Sequence, residues 1–155
     1  MRNNIPALKR NPKEDYPLLM FLELIGNDVC SKSLERERTP EDFKKYIIRL
    51  LETVDNNVPA GSHMIILGVA DGGLLYDNLH ADTHPLNVTY STVYDFLNCL
   101  KISPCWSWLN TNETVRNFTT ERAKNLSKIY PEIIAERKFK NFDIVYYDFP
   151  AMEIL

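Results

Sequence analysis

The stretch Tyr16-Pro-Leu-Leu-Met-Phe-Leu-Glu-Leu-Ile-Gly26 constrains the fold more than any other part of the chain. It is apolar at nearly every position and closes on glycine, whereas a strand with one face in water alternates apolar and polar residues. Such a run reads as a strand buried on both faces of a parallel sheet. It is interrupted by Glu23 and is about half of the roughly 20 apolar residues that a membrane-spanning helix needs, so it is no bilayer span.

The signals that follow alternate with it. Phe43, Tyr46, Ile47, Leu50, Leu51 and Val54 recur at intervals of three and four, behind Thr39-Pro40-Glu41-Asp42. That opening supplies an N-cap, a proline at the first helical position and early acids, so an amphipathic helix starts there. Asn56-Asn57-Val58-Pro59-Ala60-Gly61 breaks it. The apolar run from His63 to Val69 predicts a second buried strand, with a turn at Asp71-Gly72-Gly73. Helical spacing returns at Tyr90, Val93, Tyr94, Leu97 and Leu100, and again at Val115, Phe118, Leu126, Ile129 and Ile133. Phe142 to Phe149 reads as a third strand. Strands separated by helices give an α/β class with a mainly parallel sheet. Three strands are few against the usual five or six, roughly, so the architecture reads as truncated. There is no internal repeat, low-complexity tract or linker.

Composition narrows the class. With 155 residues, 45% hydrophobic and 25% charged, the chain is one globular domain or a piece of one. A net charge of −3 with acids and bases interspersed leaves no basic stripe for phosphate backbones, which argues against nucleic acid as a partner. Lys9, Arg10, Lys13, Glu14 and Asp15 stand near the start with no apolar segment before them, so no signal peptide is read in this chain. Yet Asn-x-Ser/Thr sequons cluster at Asn87, Asn112, Asn117 and Asn125. They point to a secreted or lumenal history, and with it to a leader upstream of Met1. At about 100° per helical residue, Asn117 falls opposite the face set by Val115, Phe118, Leu126, Ile129 and Ile133, and Asn125 falls near its edge. Asn117 is therefore expected to carry a glycan and Asn125 to do so poorly.

The stretch Leu24-Ile25-Gly26-Asn27-Asp28-Val29-Cys30 places Gly-Asn-Asp where a buried strand gives way to a loop. Ligands of α/β sheets bind beyond the carboxyl ends of strands. An asparagine there can aim its amide, a two-proton donor, at an oxyanion formed during acyl transfer. A plain Asx turn is the competing reading.

Three blocks carry a resemblance: Ile5 through Tyr16-Pro17 to Cys30, Pro59-Ala-Gly-Ser-His63 with Gly68-Val-Ala-Asp-Gly72 and Leu75-Tyr-Asp77, and Tyr94 through Cys99, Cys105 and Trp108 to Arg122. Together they cover most of the chain, which resembles the acyloxyacyl hydrolases, a branch of the SGNH or GDSL-type hydrolases. The resemblance implies a three-layer α/β/α, flavodoxin-like domain of which residues 1–155 are the C-terminal portion. Sites of that superfamily use a serine in a Gly-Asp-Ser block, a glycine and an asparagine as oxyanion donors, and a late Asp-x-x-His. Asn27 matches the asparagine, with Gly26 and Asp28 supporting its loop. The usual glycine two residues earlier is Ile25 here.

No Gly-Asp-Ser occurs in the chain, and Ser62 and His63 are sequence neighbours that cannot easily form a nucleophile–base pair. Asp77-Asn-Leu-His80 satisfies Asp-x-x-His literally, but the resemblance places that pair after the last strand, so His80 reads as a loop histidine. Nucleophile and base are thus expected outside these residues. The resemblance further implies an ester hydrolase that removes secondary acyl chains from lipid A of bacterial lipopolysaccharide, in a secreted or endosomal and lysosomal setting. The implied partners are that acylated lipid and the upstream part of the same protein. Calcium would belong to the family's upstream half, and no cofactor is expected here. A non-catalytic lipid-binding or degenerate fragment is the rival reading. A Gly-Asp-Ser block upstream and an Asp-x-x-His block downstream, both in frame, would remove its motive.

Cys30, Cys99 and Cys105 are an odd set. Cys99 and Cys105 flank a loop containing Pro104 and make the expected local disulfide, which leaves Cys30 free or paired upstream. No Cys-x-x-Cys or His-x-x-x-His on a helix suggests zinc, since His80 and His84 share a loop. Trp106 and Trp108 are read as packing residues rather than as the lining of an acyl groove.

These 155 residues expressed alone are therefore expected to show no serine-esterase activity on short acyl esters. Labelling by a fluorophosphonate probe mapped to a serine of this chain would contradict that.

Overall fold

The computed structural model describes residues 14–23, 26–68 and 71–148. Helix α1, Pro40–Asp55, begins where the sequence signals are densest: Thr39 Oγ1 accepts from the Asp42 amide, Pro40 opens the helix, and Phe43, Ile47, Leu51 and Val54 are buried. Strands β1 (Leu19–Glu23), β2 (Ser62–Leu67) and β5 (Phe142–Tyr147) form a parallel sheet in the order β1-β2-β5. Phe21 lies beside Ile65, and Ile65 beside Val145. The expected α/β class and parallel sheet are what the chain forms. Leu24, Ile25, Val69 and Phe149, expected at strand ends, lie outside the described residues.

One expectation about the sheet changes. The first strand was read as buried on both faces, but Leu19 and Phe21 are exposed while Leu22 is buried. Topology supplies the reason. Both connections run the same way across the sheet, and right-handed crossovers then place their helices on one side. Leu22, Met64, Ile66 and Phe142 join the core on the helical side, whereas Phe21, Val145 and Tyr147 on the other face are exposed.

The segment between β2 and β5 holds more structure than periodicity shows. Helix α2 (Gly73–Leu79) starts where a turn was expected, and a short hairpin, β3 (Thr83–His84) with β4 (Val88–Thr89), precedes helix α3 (Tyr90–Cys99). Helix α4 (Glu113–Ser127) and helix α5 (Ile129–Glu136) are separate. Pro131 cannot donate to the carbonyl of Ser127 and its ring crowds that group, so the helix is interrupted at Lys128.

The phase of α4 also differs from the expectation. Its buried residues are Thr119, Ala123, Leu126 and Ser127, while Phe118 is 41% exposed. Thr119 is drawn inward by its bond to buried Glu37. Phe118 lies outside, with the Arg122 guanidinium 5.4 Å from its ring centre. Asn125 accordingly does not sit at the edge of a buried face: it is exposed, as are Asn87, Asn112 and Asn117. Asn112 caps α4, its Oδ1 accepting from the Thr114 amide at 2.9 Å, and Asn87 takes a left-handed φ of 60° in the hairpin. The basis for ranking Asn125 below Asn117 as a glycan acceptor is gone.

This phase predicts unequal costs for two truncations. Leu126→Ala should destabilise by about 2–5 kcal/mol, and Phe118→Ala by less than about 1 kcal/mol. Thermal melts of both variants check the order, and the reverse order would return Phe118 to the core.

Candidate active site

The loop after β1 is built around Gly26. Its φ of +74° lies in the left-handed region, and a Cβ there would stand 3.0 Å from Cys30 Sγ, so glycine suits the position on both counts. The Gly26 carbonyl accepts from the amides of Val29 at 3.1 Å and Cys30 at 2.5 Å, which curls the chain into one turn and leaves Asn27 exposed at its crest. The Asn27 side chain makes no hydrogen bond to another described residue, so its amide protons are uncommitted. It lines a cavity of about 310 Å³ together with Asp28, Glu37, Arg38, Thr39 and Asp42.

Each neighbour of Asn27 is anchored. Asp28 forms an ion pair with Arg38, whose amide also donates to the Asp28 carbonyl at 2.8 Å. The Arg38 guanidinium lies 4.3 Å from the centre of the Tyr46 ring on α1, tying the loop to that helix. Buried Ser107 donates its hydroxyl to the Val29 carbonyl at 3.0 Å. Gly26 thus lies at the turn itself, and Asp28 is tied to Arg38 rather than to Asn27.

The cysteine pairing corrects the sequence reading. Cys30 is bonded to Cys105, with Cα atoms 4.4 Å apart, and Cys99 is an exposed free thiol. Cys99 ends α3 and Cys105 lies beyond the bend at Lys101, which turns the chain towards the β1 loop. Neighbours in sequence are separated by that bend, and the cross-link closes a separation of 75 residues instead.

Trp108 joins this loop to the one after β2. The indole is buried, as packing required. A Cβ on Gly72 would come within 2.3 Å of its Cε3, so that close approach admits glycine alone, and a Cβ on Gly26 would lie 3.9 Å from its Cζ3. Its Nε1 donates to Thr120 Oγ1 at 3.1 Å, and that hydroxyl donates to Asp71 Oδ1 at 2.7 Å. Asp71 Oδ1 also accepts from the Gly73 amide at 2.8 Å. Asp71 and the two glycines read from sequence as a turn, and nothing in the local pattern indicates the indole. Trp106 is half-buried and faces a separate cavity.

Glu37 was not found by sequence reasoning, because an acid among Glu35, Arg36 and Arg38 reads as a solvated charge run. It is buried, with its Oε1 accepting from Thr119 Oγ1 at 2.6 Å and Oε2 unpaired among the described residues. Burial pushes its carboxyl up from the ordinary value of 4.5, against the opposing pull of Thr119, Arg122 and Ser107.

The remaining candidates separate. Ser62 is buried on the helical side of the sheet, donating to the Pro59 carbonyl at 2.7 Å and accepting from the Leu18 amide at 3.0 Å. His63 points to the other face, with Nδ1 3.8 Å from Asp143. His80 stacks on Tyr76 and its Nδ1 meets the carbonyls of Tyr76 and Asp77, while the Asp77 carboxylate faces Arg116. Neither pair has the geometry of a nucleophile and base. Among the described residues no group of three or more His, Cys, Asp or Glu side chains is placed to hold a metal ion, and no helix is long and apolar enough to cross a membrane.

Comparison with known proteins matches residues 2–154 to the sequence model of a family described as GDSL-like Lipase/Acylhydrolase. The whole chain is similar to acyloxyacyl hydrolases from Homo sapiens (40% identical), Oryctolagus cuniculus (39%) and Mus musculus (37%). It spans 28% of the length of each.

The buried carboxyl beneath the loop generates a pH prediction. Because the folded state raises the Glu37 pKa, folded protein holds that proton more tightly than unfolded protein, and stability is lost as pH rises from 4.5 through the folded value. Glu37→Gln removes this dependence. Its melting temperature should gain on that of the wild type between about pH 4 and about pH 7; melting curves that stay parallel across that range would contradict the assignment.

Proposed function

The chain belongs to the GDSL-like lipase/acylhydrolase family, and from that premise we propose that the complete protein is a serine ester hydrolase of acylated lipid in which Asn27 stabilises the oxyanion. The observation that carries this reading is the Asn27 amide, uncommitted at the carboxyl end of a parallel strand while its neighbours are fixed by an ion pair, a disulfide and a buried hydroxyl. A turn held in place before reaction keeps that amide within reach of the oxygen on which charge develops.

In this mechanism a serine attacks the ester carbonyl while a histidine takes the serine's proton, and the carbonyl oxygen gains negative charge. Asn27 donates an N–H to that oxygen in the tetrahedral state. The serine and the Asp-His pair come from parts of the protein other than residues 1–155, which form the C-terminal portion of the catalytic domain. The substrate proposed is the acyloxyacyl group of lipid A, whose secondary acyl chain is released. Its support is the similarity, at 37–40% identity, to three mammalian proteins named acyloxyacyl hydrolase. A secreted or endosomal setting is proposed on the four exposed sequon asparagines and the disulfide.

Asn27→Ala in the complete enzyme should lower kcat about 10²–10³-fold, the usual loss of one oxyanion donor, and lower kcat/KM alike, because the amide binds charge present in the transition state alone. Asn27→Asp should be worse, since an acceptor-only carboxylate would face the oxyanion. Kinetics and melting temperatures of both variants test this. An active Asn27→Asp enzyme with Asn27→Ala mainly less stable would make Asn27 a turn former.

A further inference from the structure

A second cavity, of about 360 Å³, opens between the segment after Cys30 and the segment after α3. Lys32, Arg36 and Lys101 line it, with the hydroxyl-bearing Ser33 and Ser103 and the indole of Trp106, and no acid is among its lining residues. In a chain with 21 acids and a net charge of −3, three cations around one cavity with no carboxylate are a departure from the interspersed charge elsewhere. None of the three forms an ion pair with a described residue, whereas Arg38, Lys44, Lys124 and Arg137 all do.

Lys101 supplies an independent observation. It closes α3 in a left-handed conformation, φ 59°, with its amide donating to the Asn98 carbonyl and the Ile102 amide to the Leu97 carbonyl, both at 3.1 Å. That bond pattern is the Schellman ending, where glycine is the residue without steric cost. A lysine there carries backbone strain, and the strained residue is one of those that line the cavity. Arg36 lines this cavity and also the one beside Asn27, so the two adjoin.

We propose that this cavity binds the phosphate of a phosphorylated lipid headgroup, held by Lys32, Arg36 and Lys101. Three cations without a carboxylate match a dianion that accepts at several oxygens. The headgroup assignment rests on the acylated-lipid reading above and adds to it a binding determinant beside the ester site.

The test uses the complete protein and binding alone, so a failure of catalysis, measured separately on a neutral short-chain ester, would count against the ester-hydrolase reading and not against this one. Inorganic phosphate is titrated by ³¹P line broadening against wild type, Lys101→Gly, Arg36→Ala and the triple variant with Lys32→Ala. Affinity should fall about fivefold for each cation removed. Lys101→Gly is informative because glycine suits the left-handed position, so its melting temperature should hold while binding weakens. Vesicles of phosphatidylcholine with about one fifth phosphatidic acid should retain wild type better than phosphatidylcholine alone, and inorganic phosphate should compete. Equal phosphate binding by wild type and the triple variant would overturn the site. Phosphate binding with no preference for the phosphatidic acid vesicles would overturn the headgroup assignment.

Discussion

The contact on which the candidate site depends is the packing of Trp108 against the turns that leave β1 and β2. The indole presses on Gly72 so closely that no side chain fits there, and its far edge reaches Gly26. Dispersion at such contacts is small per atom and large over a whole indole. The Cys30–Cys105 bond fixes the same junction covalently, three residues before Trp108 in the chain. Gly26 and Gly72, separate in sequence, therefore meet the same indole.

The anchoring bears on the oxyanion role proposed for Asn27. The anchors fix the backbone that carries the Asn27 amide, while the amide itself stays free to meet a ligand. Asp28 is occupied by Arg38, Val29 by Ser107 and Cys30 by its disulfide, so the polar groups around Asn27 are consumed in holding the loop. The buried carboxyl of Glu37, bonded to Thr119 of α4, fastens the far end of the same loop to a third element. A buried carboxyl, an ion pair and a disulfide thus gather round one exposed amide.

Much of the fold was legible because its signals are local. Pro40 and Thr39 announce α1, and continuous apolar runs announce three strands. Asn27 was legible as a residue at a strand end, and its resemblance to a known block gave it a role. What escaped depends on contacts distant in sequence. Phe118 is apolar at helical spacing yet lies outside, because Thr119 is held inward by Glu37 from 82 residues away. The disulfide joins cysteines 75 residues apart, and spacing alone favoured the nearer Cys99. Gly72 could be read as a turn residue, but the indole that demands it comes from another loop. The one-sided burial of the sheet follows from winding direction, which no single strand records.

The central claim is that the Asn27 amide faces developing negative charge at the ester carbonyl oxygen. The most direct measurement is a crystal structure of the complete protein after reaction with an alkyl fluorophosphonate, whose phosphoryl oxygen stands in for the oxyanion. The account predicts that oxygen at about 2.7–3.1 Å from Asn27 Nδ2, with the Gly26–Cys30 turn unchanged. An adduct whose phosphoryl oxygen is held by other donors, with the Asn27 amide turned to solvent, would contradict it.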